Sequence, residues 1–280
     1  MLGYAHRMVQ RLTGFTLIAA VAALAVSGCG AKDAVDPVAQ AAQVTDQQRG
    51  GIAMMLSGKV SDGSQAMPIT GSGTVDRGGR KGTFSLELQA QGQSVTVDEV
   101  LDGRVLYLRT DQFKGKLPGG KDWLKIDLEA AARTQGVNVD AIMPQGPSQD
   151  PAQMLEYLKG AGTSKELGKR TIRGVETSGY HVDVDLRKAA QKAGGADARK
   201  AIDQAIKQIG RSTIPVDVWV DKDHLVRRER VNFDIAANGK TASIDLTIDM
   251  TKYNVPVTAD APAEKDTVDA LKLLSSSQGG

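Results

Sequence analysis

The chain has 280 residues, a formal net charge of +2, 4% aromatic residues and a single cysteine, Cys29. Few aromatics leave little from which to build stacking platforms for bases or sugars, and one cysteine cannot form a disulfide framework within the chain. Arg7 and Arg11 are the only Lys or Arg residues among the first 28, which hold no acid, so the remainder carries 33 Lys and Arg against 33 acids. That balance lacks the basic bias of a nucleic-acid binder.

The N-terminus reads as an export signal. Arg7 and Arg11 precede the apolar run Phe15 to Val26, rich in Ala, Val and Leu. The run is shorter than the roughly 20 residues needed to span a bilayer as a helix and has the proportions of a cleaved signal. It closes on Val26-Ser27-Gly28-Cys29, the arrangement of a lipobox. Ser27 and Gly28 are small enough to lie extended in a peptidase cleft, and the Cys29 thiol is the nucleophile for diacylglyceryl attachment. An ordinary secretory signal would instead leave Cys29 as an unpaired thiol in an oxidising compartment. The expected organisation is a signal peptide over 1–28, a lipidated tether over 29–48 that can be partly helical because Val38 to Gln48 contains no breaker, one large domain over 49–260, and a C-terminal tail over 261–280 with a short helix. Two acyl chains make a stable anchor where one is marginal, so the protein is expected on the outer face of the cell membrane, held by lipid on Cys29 and acting as a monomer.

From Ile52 onward the dominant period is two. Phe84, Leu86 and Leu88 alternate with polar residues, as do Val182, Val184 and Leu186, then Val216, Val218 and Val220, then Ile244, Leu246, Ile248 and Met250. Strict alternation buries one strand face and wets the other, which favours antiparallel pairing. Turn signals such as Asp62-Gly63, Arg77-Gly78-Gly79, Gln91-Gly92, Asp102-Gly103 and Asn238-Gly239 separate the runs. About ten or eleven strands are expected from this spacing.

Helical signals are fewer. Asp127 is placed to cap a helix ending at Gly136. Asp150-Pro151 is a good cap and first-turn pair opening a short helix with Leu155 and Leu158 on one face. Ala196 to Ile209 puts Ile202, Ile206 and Ile209 on one stripe. Thr267 to Leu274 suggests a last turn or two. The fold class is therefore α+β: a wide antiparallel sheet that must curl because strands twist, giving a half-barrel covered by a few helices.

A set of segments carries a resemblance: Tyr107-Leu108-Arg109, Lys121-Asp122-Trp123-Leu124-Lys125, Gly174-Val175-Glu176-Thr177 leading to Tyr180-His181-Val182-Asp183-Val184-Asp185-Leu186, and Pro215-Val216-Asp217-Val218-Trp219-Val220-Asp221. Over roughly residues 50–258 the pattern resembles actinobacterial envelope lipoproteins of the LppX/LprG type, and more remotely the LolA/LolB lipoprotein carriers. The resemblance implies a LolA-like half-barrel and an apolar cavity for lipids or glycolipids in transit.

No nucleophile elbow, zinc-protease motif or phosphate loop is present, so no catalytic residue, metal site or cofactor is expected. His181 shares the polar phase of its strand with Asp183 and Asp185. Asp221-Lys222-Asp223-His224 resembles the start of a calcium loop but lacks its central glycine and later ligands. Asp183, Asp185, Asp217 and Asp221 on a wet strand face read as members of cross-strand ion pairs. The apolar phase is the stronger lead. Phe84, Leu86, Leu88, Leu155, Leu158, Ile202, Ile206, Ile209, Val231, Phe233, Ile235, Ile244, Leu246 and Ile248 are candidates to line a ligand cavity. A filled core requires the same alternation, so two main readings stand beside a minor third, an enzyme that broad hydrolase screening would detect. One is an anchored carrier of a lipidic ligand. The other is a non-catalytic interaction module that binds another envelope protein through a sheet edge or the 136–150 loop.

Overall fold

The computed structural model describes residues 36–61, 65–76, 79–90, 92–134, 164–192, 196–237 and 240–273. The signal peptide, the lipobox with Cys29, the 136–150 loop and the helix expected to carry Leu155 and Leu158 lie outside the described residues.

Alternation produces long strands: β1 (Gly51–Ser61), β2 (Ala66–Val75), β3 (Lys81–Ala90), β4 (Gln93–Asp102), β5 (Val105–Thr110), β6 (Trp123–Asp127), β7 (Lys165–Ile172), β8 (Val175–Asp185), β9 (Thr213–Asp221), β10 (Val226–Ala237), β11 (Lys240–Val255) and β12 (Thr267–Asp269). They form one sheet in the order β12-β6-β5-β4-β3-β2-β1-β11-β10-β9-β8-β7. Two meanders, β1 to β6 and β7 to β11, are joined where β1 pairs antiparallel with β11. The sheet is open, with β7 and β12 as its ends. Turn glycines at positive φ, among them Gly92 and Gly103, allow tight hairpins.

The twelfth strand exceeds the expected count. β12 has three residues, too few to alternate, and it pairs parallel with β6. The 261–280 segment is thus more than a tail: β12 extends the sheet, and Asp269 caps the following turn by accepting from the Leu271 and Lys272 N–H groups at 2.9 and 3.1 Å.

Two apolar clusters occupy one face of the sheet. The larger spans β8 to β11, β1 and β2 and includes Val184, Val216, Val231, Phe233, Ile244 and Leu246. The smaller joins Val97, Leu108 and Leu124 to Phe113, Leu117 and Ala270. Each fully buried Val or Leu contributes about 1.5–3 kcal/mol. Helix α1 (Pro37–Asp46) packs on β9 and β10, and α2 (Leu128–Thr134) packs on β6. Helices α3 (Leu186–Lys192) and α4 (Ala196–Ile209) pack together, with α4 also on β10. None of the helices among the described residues is long and apolar enough to cross a membrane.

Helix α1 corrects the expected tether. Asp36 accepts from the Val38 N–H at 2.8 Å and the Ala39 N–H at 3.3 Å, and Pro37 follows it. Val38, Ala39, Ala41 and Ala42 are buried. The Asp36 carboxylate also accepts from the Ser164 hydroxyl at 2.6 Å, just before β7. Residues 37–46 therefore belong to the folded domain, because small apolar side chains let the helix lie close on the sheet.

Candidate functional site

The strand register places the candidate residues on one face. Val231 faces Leu246 across β10 and β11, and Phe233 faces Ile244. Leu246 then faces Gly58, and Ile248 faces Leu56 across β1 and β11. Leu88 faces Ile69, Leu86 faces Gly71 and Phe84 faces Gly73 across β2 and β3. Val231, Phe233, Ile244, Leu246 and Ile209 are buried within the larger cluster. At these five positions the face is filled. Phe84, Leu86, Leu88, Ile235 and Ile248 are half-buried, as are Ile202 and Ile206 on α4.

Half-buried apolar residues also run across β11, β1 and β3, between the areas covered by α1 and α4 on one side and by Phe113, Leu117 and Ala270 on the other; Leu56 and Met250 border the larger cluster and Leu86 the smaller. Met54, Leu56, Phe84, Leu86, Ile248 and Met250 form this strip. Its glycines are closely covered. A Cβ on Gly71 would stand 2.5 Å from Leu86 Cδ2, and one on Gly73 would stand 2.7 Å from the Phe84 ring. Glycine at these positions lets Leu86 and Phe84 lie flat on the neighbouring backbone, which lowers the profile of the strip.

Two carboxyl groups share this face. Glu229 is 4% exposed and stands between Val218 on β9 and Ile248 on β11. Its Oε1 has no hydrogen-bond partner. Burial raises its pKa to about 8. Glu99 on β4 is half-buried between Phe84 and Leu108, and burial raises its pKa to about 7. Both carboxyls therefore spend much of their time protonated near neutral pH, as polar but uncharged groups.

A register shift at the β1–β11 pair, where Met54 faces Met250 but Ala53 faces Lys252, reorients the end of β11. The Tyr253 hydroxyl donates to the Val226 carbonyl beneath α1, while the Thr45 hydroxyl accepts from the Val226 N–H at 3.2 Å. Burial is the main cause of the raised Tyr253 pKa, and the nearby Glu229 and Asp221 add to it.

The opposite face is a ladder of ion pairs. Asp249 is buried and accepts from Arg228 at 2.5 and 2.9 Å and from Arg173 at 2.7 Å. Burial opposes ionisation of Asp249, yet these two guanidinium groups outweigh it and hold the carboxyl below its ordinary range. Arg230 pairs with Asp245 through two contacts at 3.0 and 3.1 Å. His181 Nδ1 lies 2.6 Å from Asp217.

Asp221 closes its own turn. One oxygen accepts from the Asp223 and Leu225 N–H groups, and the other accepts from Arg227 at 2.6 Å. Those contacts occupy the carboxylate that a calcium ion would need. Asp185 caps α3 by accepting from the Arg187 and Lys188 N–H groups. The four aspartates are thus divided among an ion pair, a turn and a cap, except Asp183, which stands 3.7 Å from His181 Nε2.

Two surface concavities, of about 490 and 520 Å³, lie elsewhere. The first is lined by the polar side of α4, including Arg199, Lys200, Asp203 and Lys207, and the second by Gln47, Gln48, Arg49, Gly50 and Asn254. Neither opens onto the apolar strip.

No family model matches the chain. It is 28% identical over 249 residues to an uncharacterised 31.2 kDa protein from the rplA–rplJ intergenic region of Streptomyces griseus, covering 86% of this chain and 77% of that protein. It is 25% identical over 210 residues to a Streptomyces coelicolor protein described as a candidate lipoprotein, covering 74% of this chain and 62% of that one, so it spans less than two thirds of that relative. Among solved structures, it is similar to the lipoprotein LppX of Mycobacterium tuberculosis at 13% identity, with 80% of this chain and 96% of that chain covered and a TM-score of 0.42.

Proposed function

We propose that this chain is an exported lipoprotein of the LppX/LprG type, held at the outer face of the cell membrane through lipid on Cys29, that binds a lipidic ligand on the apolar face of its sheet. One observation carries the ligand reading: the strip of half-buried apolar side chains on β11, β1 and β3 lies between two filled clusters. Half-buried side chains keep part of their apolar surface open, and an acyl chain laid along the strip would gain about 25 cal/mol per Å² of it that is covered. The ligand class is apolar, and no catalytic step is assigned.

The anchor reading rests on the basic start, the short apolar run and the Val26-Ser27-Gly28-Cys29 tetrad. It is supported by the Streptomyces coelicolor relative. Because α1 begins at Pro37 and is capped by Asp36, only residues 30–35 separate Cys29 from the folded domain. Fully extended, this link reaches about 24 Å, which keeps the strip close to a bilayer that could supply or receive its ligand.

A photoactivatable fatty acid offered to the whole chain tests the reading. Adducts on peptides from β1, β3 and β11 are expected. Adducts confined to the outer face, or none, would contradict it.

A second reading has its own observation. Among the described residues, strand β7 ends the sheet with an unpaired edge and exposes Leu167, which could accept a strand from an envelope protein partner. Lys165, Lys169, Arg170 and the register shift near Gly168 guard that edge against indiscriminate pairing. Cross-linking on intact cells distinguishes this reading, because it requires a single protein partner joined through β7.

A further inference from the structure

We propose that Glu229 and Glu99 are the polar contacts of the bound ligand, and that they select an uncharged, hydroxyl- or ester-bearing amphiphile over an anionic one. This inference deepens the ligand reading above and rests on it.

The first ground is position. Glu229 lies in the apolar phase of β10, two residues before Val231 and four before Phe233, with Val218 and Ile248 on either side. Leucine would complete that pattern without burying a carboxyl. Instead a carboxyl is closed off from water with Oε1 unpartnered. Buried polar atoms are nearly always satisfied, and an exception needs an explanation such as a missing ligand.

The second ground is the relation of the two acids to the strip. From Glu229 the row runs through Ile248, Leu56, Gly71, Leu86 and Val97. The adjacent row runs from Met250 through Met54, Gly73 and Phe84 to Glu99. The two carboxyls therefore bracket the strip, five strands apart, or about 24 Å along the sheet at the usual interstrand spacing.

The third ground is charge. Between the two acids the strip presents Met54, Leu56, Phe84, Leu86, Ile248 and Met250, and these positions hold no cation. Among the described residues the strip positions offer an anionic head two acids and no base, while one cation, Arg211, stacks farther along over the Phe233 ring at 5.6 Å. A protonated carboxyl offers one O–H donor and an acceptor oxygen, which suits a hydroxyl or an ester carbonyl. Tyr253 feels the charges of Glu229, Asp221 and Arg227; Arg227 is engaged by Asp221 and stacks over the Tyr253 ring at 5.4 Å.

The test uses the whole chain at pH 6 with three probes that share an eighteen-carbon tail, a number set by the probes themselves at roughly a bilayer leaflet in length: monoolein, oleate and the plain hydrocarbon. Wild type is expected to bind monoolein more tightly than oleate. Monoolein carries its polar atoms at one end and meets one carboxyl at a time, so at least one of Glu229→Leu and Glu99→Leu should weaken monoolein about tenfold, the loss of one hydrogen bond to a buried group, and both should leave the hydrocarbon unchanged. Glu229→Gln, which keeps donor and acceptor, should retain monoolein binding. Equal binding of monoolein by the Leu variants and wild type would overturn this inference and leave the ligand reading standing. Failure of wild type to bind any probe would overturn both.

Discussion

Glu229 stands directly opposite Ile248 across the β10–β11 ladder, a buried acid facing a half-buried aliphatic side chain on the apolar side of the sheet. Burial raises the Glu229 pKa from 4.5 to about 8 and that of Glu99 from 4.5 to about 7. In both cases the folded state holds its proton more tightly than the unfolded chain. Stability from these groups is complete below about pH 4.5 and is lost as pH rises through 7 and 8. The loss from Glu229 is on the order of several kcal/mol. Asp221 and Asp249 act oppositely, since their carboxyls are held low and their contribution falls away in acid. Urea unfolding should therefore show greatest stability near pH 5 and a decline toward pH 9, and Glu229→Gln should flatten that decline. A rise in stability from pH 5 to pH 9 would contradict the burial of both acids.

The Asp249 carboxylate binds Arg228 and Arg173 while nearly closed off from water. Removing the carboxylate takes away three short contacts to guanidinium groups that themselves reach water. Asp249→Ala is expected to destabilise the protein by about 1.5–3 kcal/mol, the scale of lost charge-assisted hydrogen bonds, measured as a lower urea midpoint with an unchanged slope. Asp223→Ala, which removes an exposed pair with Lys222, should change stability by less than about 0.5 kcal/mol.

Gly73 has no room for a side chain. A Cβ there would stand 2.1 Å from the Thr83 carbonyl oxygen and 2.7 Å from the Phe84 ring. Gly73→Ala should cost about 1–3 kcal/mol by overpacking and displace Phe84 from the strip. Calorimetry reads the first effect, and the chemical shifts of the Phe84 ring read the second.

Helix α1 is part of the domain if its buried face matters. Ala41 is fully buried, so Ala41→Glu should lower stability by more than about 2 kcal/mol through an unpaired buried charge. A free tether would tolerate this change. Asp36→Ala should cost about 1 kcal/mol through loss of the helix cap. Thermal unfolding of the two variants separates the cases.

Much of this fold was legible because alternation and helical stripes are local signals. Helix α4 runs over Ala196–Ile209, the span its isoleucine stripe predicts, and Asp127 caps α2 by accepting from the Ala130 N–H at 2.9 Å. Helix α1 was missed as a packing element because its buried residues are mostly alanine, whose apolar stripe is faint. The Asp36-Pro37 pair was nonetheless a readable start signal. Strand β12 is too short for a period, and β7 is a largely exposed edge with no apolar phase to read.

The site was only half legible. Alternation placed Phe84, Leu86, Leu88 and Ile248 on the apolar face, but it could not separate them from the filled positions Val231, Phe233, Ile244 and Leu246, because coverage depends on where helices dock. Glu229 escaped notice although it falls in phase with Val231, Phe233 and Ile235. An acid in the apolar phase of a strand was the available signal. Glu99 was hidden by its place on β4, where Asp98 beside it pairs with Arg109 at 2.8 Å on the other face.

The most direct measurement is native mass spectrometry of the whole chain purified from the cells that make it, with the bound fraction extracted and identified. The account predicts a stoichiometric, uncharged amphiphile bearing a hydroxyl or ester, lost in part from at least one of Glu229→Leu and Glu99→Leu. A chain that is consistently empty, with the β1, β3 and β11 side chains covered by the protein itself, would contradict it.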